Sequence, residues 1–237
     1  MRSAKSNLCM ATSVSASVEA SARRTGLRVA VLASGRGSNL AAILRACAEG
    51  ELNAEVVGVF SDKAKAGAIA LAQHAGVPTL VLNPAAFGAR QECDQALFRE
   101  VDAVRPDLIV CAGFMRILSS EAVAPRTQRL INIHPSLLPR YAGLHTHQRV
   151  LDAGDVEHGA SVHFVIPALD AGPVIAQARI PVVSGDSAES LAKRLLPVEH
   201  GLMIASIALF CAHRVRHSEG RVLIDDVAQS RPRQIVP

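Results

Sequence analysis

The sequence predicts an α/β protein with a mostly parallel central sheet and helices on both faces, a Rossmann-like architecture. Short apolar runs alternate with segments of helical period, as in successive βαβ units. Glycine-rich or proline-containing turns separate these segments, and no linker or internal repeat divides the chain. Hydrophobic residues make up 49% of 237, enough to bury a parallel sheet on both sides.

The first strand is expected at Arg28–Ala33, followed by the turn Ser34-Gly35-Arg36-Gly37-Ser38-Asn39. Leu40, Ile43, Leu44 and Cys47 then recur at helical spacing, with Gly50 placed as a terminating residue. Val56–Phe60 reads as the second strand, Ala64–Ala75 as a helix ending at Gly76, and Thr79–Leu82 as the third strand. Gln91–Val104 carries an apolar stripe of Leu97, Val101 and Val104 and stops before Pro106. Asp107–Ala112 and Leu130–His134 complete the regular strands. Beyond them come a helix near His147–Ala153, β-like segments at Ala160–Ile166 and Val174–Val183, and a long helix from about Ser187 to His213. Pro197 is expected to kink or interrupt that helix, and a short strand follows at Val222–Ile224.

Residues 27–237 are therefore read as a single domain. Residues 1–26, rich in Ser, Ala and Arg and without periodicity, are read as a disordered N-terminal extension; their composition also resembles a transit peptide. The core must be aliphatic, because the chain has no Trp and one Tyr. The net charge of +4 is spread out, with no basic block and no interleaved aromatics, which argues against nucleic-acid binding. No run of 18 apolar residues occurs, so no membrane span is expected. The odd set Cys9, Cys47, Cys93, Cys111 and Cys211, lacking any C-x-x-C, suggests free thiols in a reducing compartment, the cytoplasm.

Four places carry candidate chemistry. At the end of Leu130–His134, period-2 geometry puts Asn132 and His134 on one face and Ile131 and Ile133 on the other. An amide and an imidazole presented together suit a reacting carbonyl, one donating to its oxygen and the other handling protons. In the first glycine turn, Gly35 and Gly37 allow close backbone approach, while Ser38 and Asn39 offer an N-cap and donors at a helix start. A dinucleotide fingerprint would need glycine where Leu40 stands, so the turn reads as a cradle for one phosphate; Asp62 reads as a loop residue or cap. Gly113, Phe114, Met115, Ile117 and Leu118 could wall a flat apolar pocket or simply pack in the core. His134, His145, His147, His158 and His163 crowd together, and His145-x-His147 has ligand-like spacing. No cysteine or carboxylate cluster joins them, so no metal is expected. Asp170, in Ile166–Pro173, is a lone turn carboxylate whose interest lies in a pairing with His134, since a carboxylate beside an imidazole favours the imidazolium.

Five segments, taken in order, carry a resemblance: S-G-R-G-S-N (34–39), A-G-F-M-R-I-L-S (112–119), I-N-I-H-P-S-L-L-P-R-Y-A-G-L-H-T-H (131–147), H-G-A-S-V-H-F-V (158–165) and L-D-A-G-P-V-I (169–175). The chain resembles the folate-dependent phosphoribosylglycinamide formyltransferases of purine synthesis from about Leu27 to Val227. The resemblance implies the formyltransferase fold and formyl transfer from 10-formyltetrahydrofolate, as co-substrate, to the amine of 5′-phosphoribosylglycinamide, with no metal. It implies Asn132, His134 and Asp170 as catalytic residues, and Gly37, Ser38, Asn39 and Glu199 as contacts to the ribonucleotide. Met115, Arg116, Ile117, Leu118, Ile166, Pro167, Ala168, Leu169 and Asp170, with Asn132, would surround the folate, and Arg90 would face it. The partners implied are these two small molecules, and the unit a monomer or homodimer. Ala142 stands where the family usually has Pro, Ala171 where a second Gly is common, and Val198 where Gln precedes Glu-His.

Methionyl-tRNA formyltransferases and formyltetrahydrofolate hydrolases share the Asn-x-His and Asp set, but normally add a further domain. A nicotinamide oxidoreductase is disfavoured by Leu40, and a nucleotide-binding module has no need of Asn132, His134 and Asp170 together.

Overall fold

A computed structural model describes residues 26–236. The expectations on residues 1–25 lie outside the described residues. The chain runs β1 (Leu27–Leu32), α1 (Ser38–Ala48), β2 (Ala54–Ser61), α2 (Gly67–His74), β3 (Thr79–Val81), α3 (Arg90–Ala103) and β4 (Leu108–Cys111). It continues through α4 (Ser120–Val123), β5 (Leu130–His134), α5 (Thr146–Asp152), β6 (Glu157–Phe164), β7 (Val174–Pro181) and α6 (Ala188–Cys211). Last come β8 (Val215–Ser218), β9 (Arg221–Ile224), β10 (Val227–Ala228) and β11 (Arg233–Gln234).

Eight strands form one sheet in the order β11-β7-β6-β5-β4-β1-β2-β3. The pairs β1–β2, β1–β4, β2–β3, β4–β5 and β7–β11 are parallel, while β5–β6 and β6–β7 are antiparallel. Alternation along β1 and β5 splits the core into two layers. Val29, Val31, Ile131 and Ile133 join the layer with α1, α2 and α6, and Ala30, Leu32 and Leu130 the layer with α3 and α4. This is the expected doubly covered sheet, and a continuous aliphatic layer on each face is what its stability rests on.

Several expected boundaries move. The helix expected from Ala64 begins at Gly67, because Lys63, Ala64 and Lys65 stay in the exposed turn after β2. β6 starts three residues earlier than its apolar pattern, and Glu157 earns its place there through register with Pro181 and an ion pair to Arg179 at 2.9 Å. Its end at Phe164 releases Val165 and Ile166 into the loop. Pro197 does not interrupt α6, which is continuous from Ala188 to Cys211. Pro197 and Lys193, whose carbonyl loses the intrahelical donor, both lie on the exposed side, where water can serve that carbonyl. By length and composition α6 could cross a membrane. Here Leu195, Leu202, Met203 and Ile207 pack with the sheet residues in one core layer. The antiparallel sheet β10-β9-β8 extends the single strand expected at Val222–Ile224.

Candidate active site

The parallel strands β1, β2 and β4 all end at one edge of the sheet, and β5 ends there too, so the segments after them converge. Antiparallel β6 places His163 directly opposite Asn132. Cross-strand partners share a face, which explains the Asn132 Nδ2 to His163 Nε2 contact of 3.1 Å. The His163 Nδ1 lies 2.9 Å from the Phe164 carbonyl, which can only accept, so Nδ1 carries the proton. Burial pushes the His163 imidazole below its ordinary value, against the opposing pull of the Phe164 carbonyl and Asp170. The ring is therefore neutral, and its Nε2 lone pair receives one amide proton of Asn132. The second amide proton of Asn132 remains available.

His134 is 7% exposed, and its Nε2 donates to the Tyr141 carbonyl at 3.0 Å. Its Nδ1 faces Asp170 Oδ2 at 3.5 Å, and Asp170 Oδ1 lies 3.7 Å from His163 Nε2. Asp170 also accepts the Gly143 amide at 2.9 Å, tying its own loop to the one after β5. Asp170 adopts φ of 49°, and Gly172 two residues on is packed so closely that a Cβ would lie 1.8 Å from the Phe164 carbonyl oxygen. The required glycine is Gly172, whereas Ala171 is exposed, so the second family glycine is dispensable here. Ala142 is exposed as well. The three residues expected to act together, Asn132, His134 and Asp170, are thus brought to one place.

Beneath this site, the Ser161 hydroxyl donates to the Ser136 carbonyl at 2.7 Å and accepts from the Leu138 amide and Gln177 Nε2 at 3.0 and 2.9 Å. Gln177 also donates to the Leu138 carbonyl at 2.9 Å. Every hydrogen-bonding capacity of that buried hydroxyl is used, and the segment after His134 is fixed from below.

A cleft opens beside the trio, walled by Phe114, Ile117, Leu118, Val165 and the whole Ile166–Asp170 stretch, with Asn132 and His163 at its polar end. Met115 lines a neighbouring hollow with Arg90, and Arg116 and Ile117 border both. The Arg116 guanidinium, however, is turned to the fully buried Asp94 at 2.8 Å, which also accepts the Ser119 amide at 2.7 Å. Arg116 therefore braces the wall against α3 with its charge already paired. Arg90, the first residue of α3, pairs with no described carboxylate.

The glycine turn differs in one detail from expectation. Gly37, not Ser38, caps α1, with φ of 83° and no side-chain cap, because the helix already begins at Ser38. A Cβ there would lie 2.7 Å from the Ala68 Cα, so only glycine permits this close docking on α2. The first-turn amides are left without side-chain partners, as an anion cradle requires. Asn39 reaches across to Glu199 on α6, Nδ2 to Oε2 at 3.4 Å, and its Oδ1 is buried without a partner. Burial pushes the Glu199 carboxyl above the usual range, with the Asn39 bond opposing it. Val198 packs against the core, so the departure there leaves Glu199 in place.

Two of the other clustered histidines pair with each other. His147 Nδ1 lies 2.9 Å from His158 Nε2, and His145 starts α5 with a left-handed backbone. Among the described residues, no group of three or more His, Cys, Asp or Glu side chains is arranged to hold a metal. His163 is the residue that sequence reasoning underrated. It stood among the clustered histidines, but its role depends on the β5–β6 register, which no local pattern reveals.

A sequence model of the family described as formyl transferase matches residues 27–207. The chain is 46% identical over 199 residues to phosphoribosylglycinamide formyltransferase of Escherichia coli (strain K12), a stretch covering 84% of this chain and 94% of that protein. Among solved structures, the phosphoribosylglycinamide formyltransferase of Coxiella burnetii superposes with a TM-score of 0.86 at 40% identity, covering 89% of this chain and 100% of that one. Glycinamide ribonucleotide transformylase 1 of Symbiobacterium toebii gives a TM-score of 0.82 at 40% identity, covering 85% and 95%.

Proposed function

We infer the reaction from one premise: this chain belongs to the formyl transferase family. It is a phosphoribosylglycinamide formyltransferase, transferring the formyl group of 10-formyltetrahydrofolate to the amine of 5′-phosphoribosylglycinamide and leaving tetrahydrofolate. The observation that carries this reading is the meeting of Asn132, His134 and Asp170 at the polar end of an apolar cleft, within one edge of the sheet that also holds the glycine turn.

The roles of the site residues are those the resemblance implies, and the geometry supports them. The flat cleft between Ile117, Leu118 and Ile166–Asp170 suits the pterin, and the hollow toward Arg90 suits the acidic end of the folate. The amides after Gly37 receive the ribonucleotide phosphate, and Glu199 contacts the glycinamide portion, an assignment supported by its bond to Asn39. In the transfer step the amine nitrogen attacks the formyl carbon, forming a tetrahedral centre. The free amide proton of Asn132 binds the oxygen of that centre, and His134, backed by Asp170, stabilises its charge. The proton leaving the amine is passed by Asp170, through a water, to the folate nitrogen as its bond to the formyl carbon breaks. No covalent enzyme intermediate is needed. Most of the acceleration comes from holding two substrates in line together with oxyanion stabilisation. The proposed setting is the cytoplasm, supported by the free state of the four described cysteines. A monomer or homodimer is the proposed unit, and neither nucleic acid nor membrane is a proposed partner.

A spectroscopic assay of folate turnover with each substrate omitted in turn tests the reaction. Formyl loss requiring the amine acceptor is expected. Formyl loss without it would make the protein a hydrolase, and no turnover with both present would leave only a binding module.

A further inference from the structure

The hydroxyl of Ser34 joins three segments at the working edge of the sheet. Ser34 follows β1 and opens the glycine turn; it is 4% exposed. Its backbone amide donates to the Gly113 carbonyl at 3.0 Å, and the Met115 amide donates to its Oγ at 2.9 Å. Its own hydroxyl proton goes to Asp62 Oδ1 at 2.5 Å, on the segment after β2. Gly113 and Met115 begin the wall of the folate cleft, and Gly35–Asn39 form the phosphate turn. One residue thus makes a two-point junction between the parts proposed to receive the two substrates, and a carboxylate fixes it.

The chemistry of the junction is directional. A serine hydroxyl has one proton and two lone pairs, so donation to Asp62 leaves its oxygen turned to accept the Met115 amide. A charged acceptor strengthens the first bond and, by polarising the hydroxyl, the second. The glycine turn is docked on α2 through the Ala68 amide and Gly35 carbonyl at 3.2 Å, so a phosphate that settles the turn also settles Ser34. We propose that Ser34, held by Asp62, is a positioning residue that couples the phosphate turn to the folate wall, so that occupancy of either substrate subsite tightens the other. The inference rests on the two-substrate reading above.

Isothermal titration of the full chain with tetrahydrofolate, which has no formyl group to transfer, in the presence and absence of glycinamide ribonucleotide measures the coupling. In the unaltered protein the ribonucleotide is expected to lower the tetrahydrofolate Kd by about five-fold or more. Ser34→Ala and Asp62→Ala should each bring that ratio close to one, while Asp62→Asn, which keeps an acceptor, retains most of it. A merely stabilising role would shift the unfolding midpoint and leave the ratio alone. If Ser34→Ala does not fold, the contrast between Asp62→Ala and Asp62→Asn decides. Two binding ligands with no coupling in the unaltered protein, or a ratio preserved in the alanine variants, would overturn the proposal while the reaction stood. A folded protein that bound neither ligand would remove the two-substrate reading itself and this coupling with it.

Discussion

His163 shows how one buried ring can set the orientation of another side chain. Its Nδ1 is committed to the Phe164 carbonyl, so its Nε2 has a lone pair to offer and Asn132 turns its amide toward it. Were the ring charged, Nε2 would become a donor, and Asp170 at 3.7 Å would compete for it. Replacing His163 with Ala should lower kcat by about 10- to 100-fold, the scale of losing one well-placed oxyanion donor's alignment, with a much smaller change in KM for the folate. Steady-state kinetics with each substrate varied check this, and an unchanged kcat would contradict the assigned role. At this scale the sequence was informative about identity and poor about partnership. Asn132 and His134 announce themselves by alternation on a strand. Asp170 and His163 gain meaning only from sheet register and loop closure, which are long-range.

Elements were legible wherever a period was clean. β5 falls on its expected residues, and the other expected strands and helices shift by only a few positions, whereas α4, β8, β10 and β11, all of four residues or fewer, had no expectation. The misreadings have local physical causes: polar residues that pair between neighbouring strands, as Glu157 does with Arg179, and a proline tolerated on the wet side of α6. The hydrogen-bonded plug of Ser136, Ser161 and Gln177 under the segment after β5 had no sequence signature at all, because its members are far apart in the chain. Replacing Ser161 with Ala would strand the Leu138 amide and the Gln177 side chain in the interior. Loss of about 1–3 kcal/mol of unfolding free energy is expected, read from denaturant midpoints at an unchanged m-value. A midpoint equal to that of the unaltered protein would show that the plug does not hold the segment.

Across the whole molecule, one sheet edge gathers the phosphate turn, the folate wall, the catalytic strand end and the Asp170 loop, and the opposite requirement, stability, is met by two aliphatic layers. That stability carries an acid limit. His158 is buried, and burial, followed by the charge of His147, pushes its imidazole down to about 4 from 6.5, with Asp155 pulling weakly the other way. The unfolded chain then binds a proton that the folded one refuses between those values. The corresponding stability is present above pH 6.5 and is lost as pH falls toward 4. Thermal midpoints measured from pH 7 to 4 should fall, and His158→Gln should flatten the slope; parallel slopes would contradict the assignment. At the working edge, Asn132, His134 and Asp170 are proposed to perform the transfer together. The decisive measurement is single-turnover formation of the N-formyl product by Asp170→Asn at saturating concentrations of both substrates. A chemical step slowed by about 10³-fold with both ligands still bound is expected; a rate within about ten-fold of the unaltered protein would exclude a shared role for the three side chains.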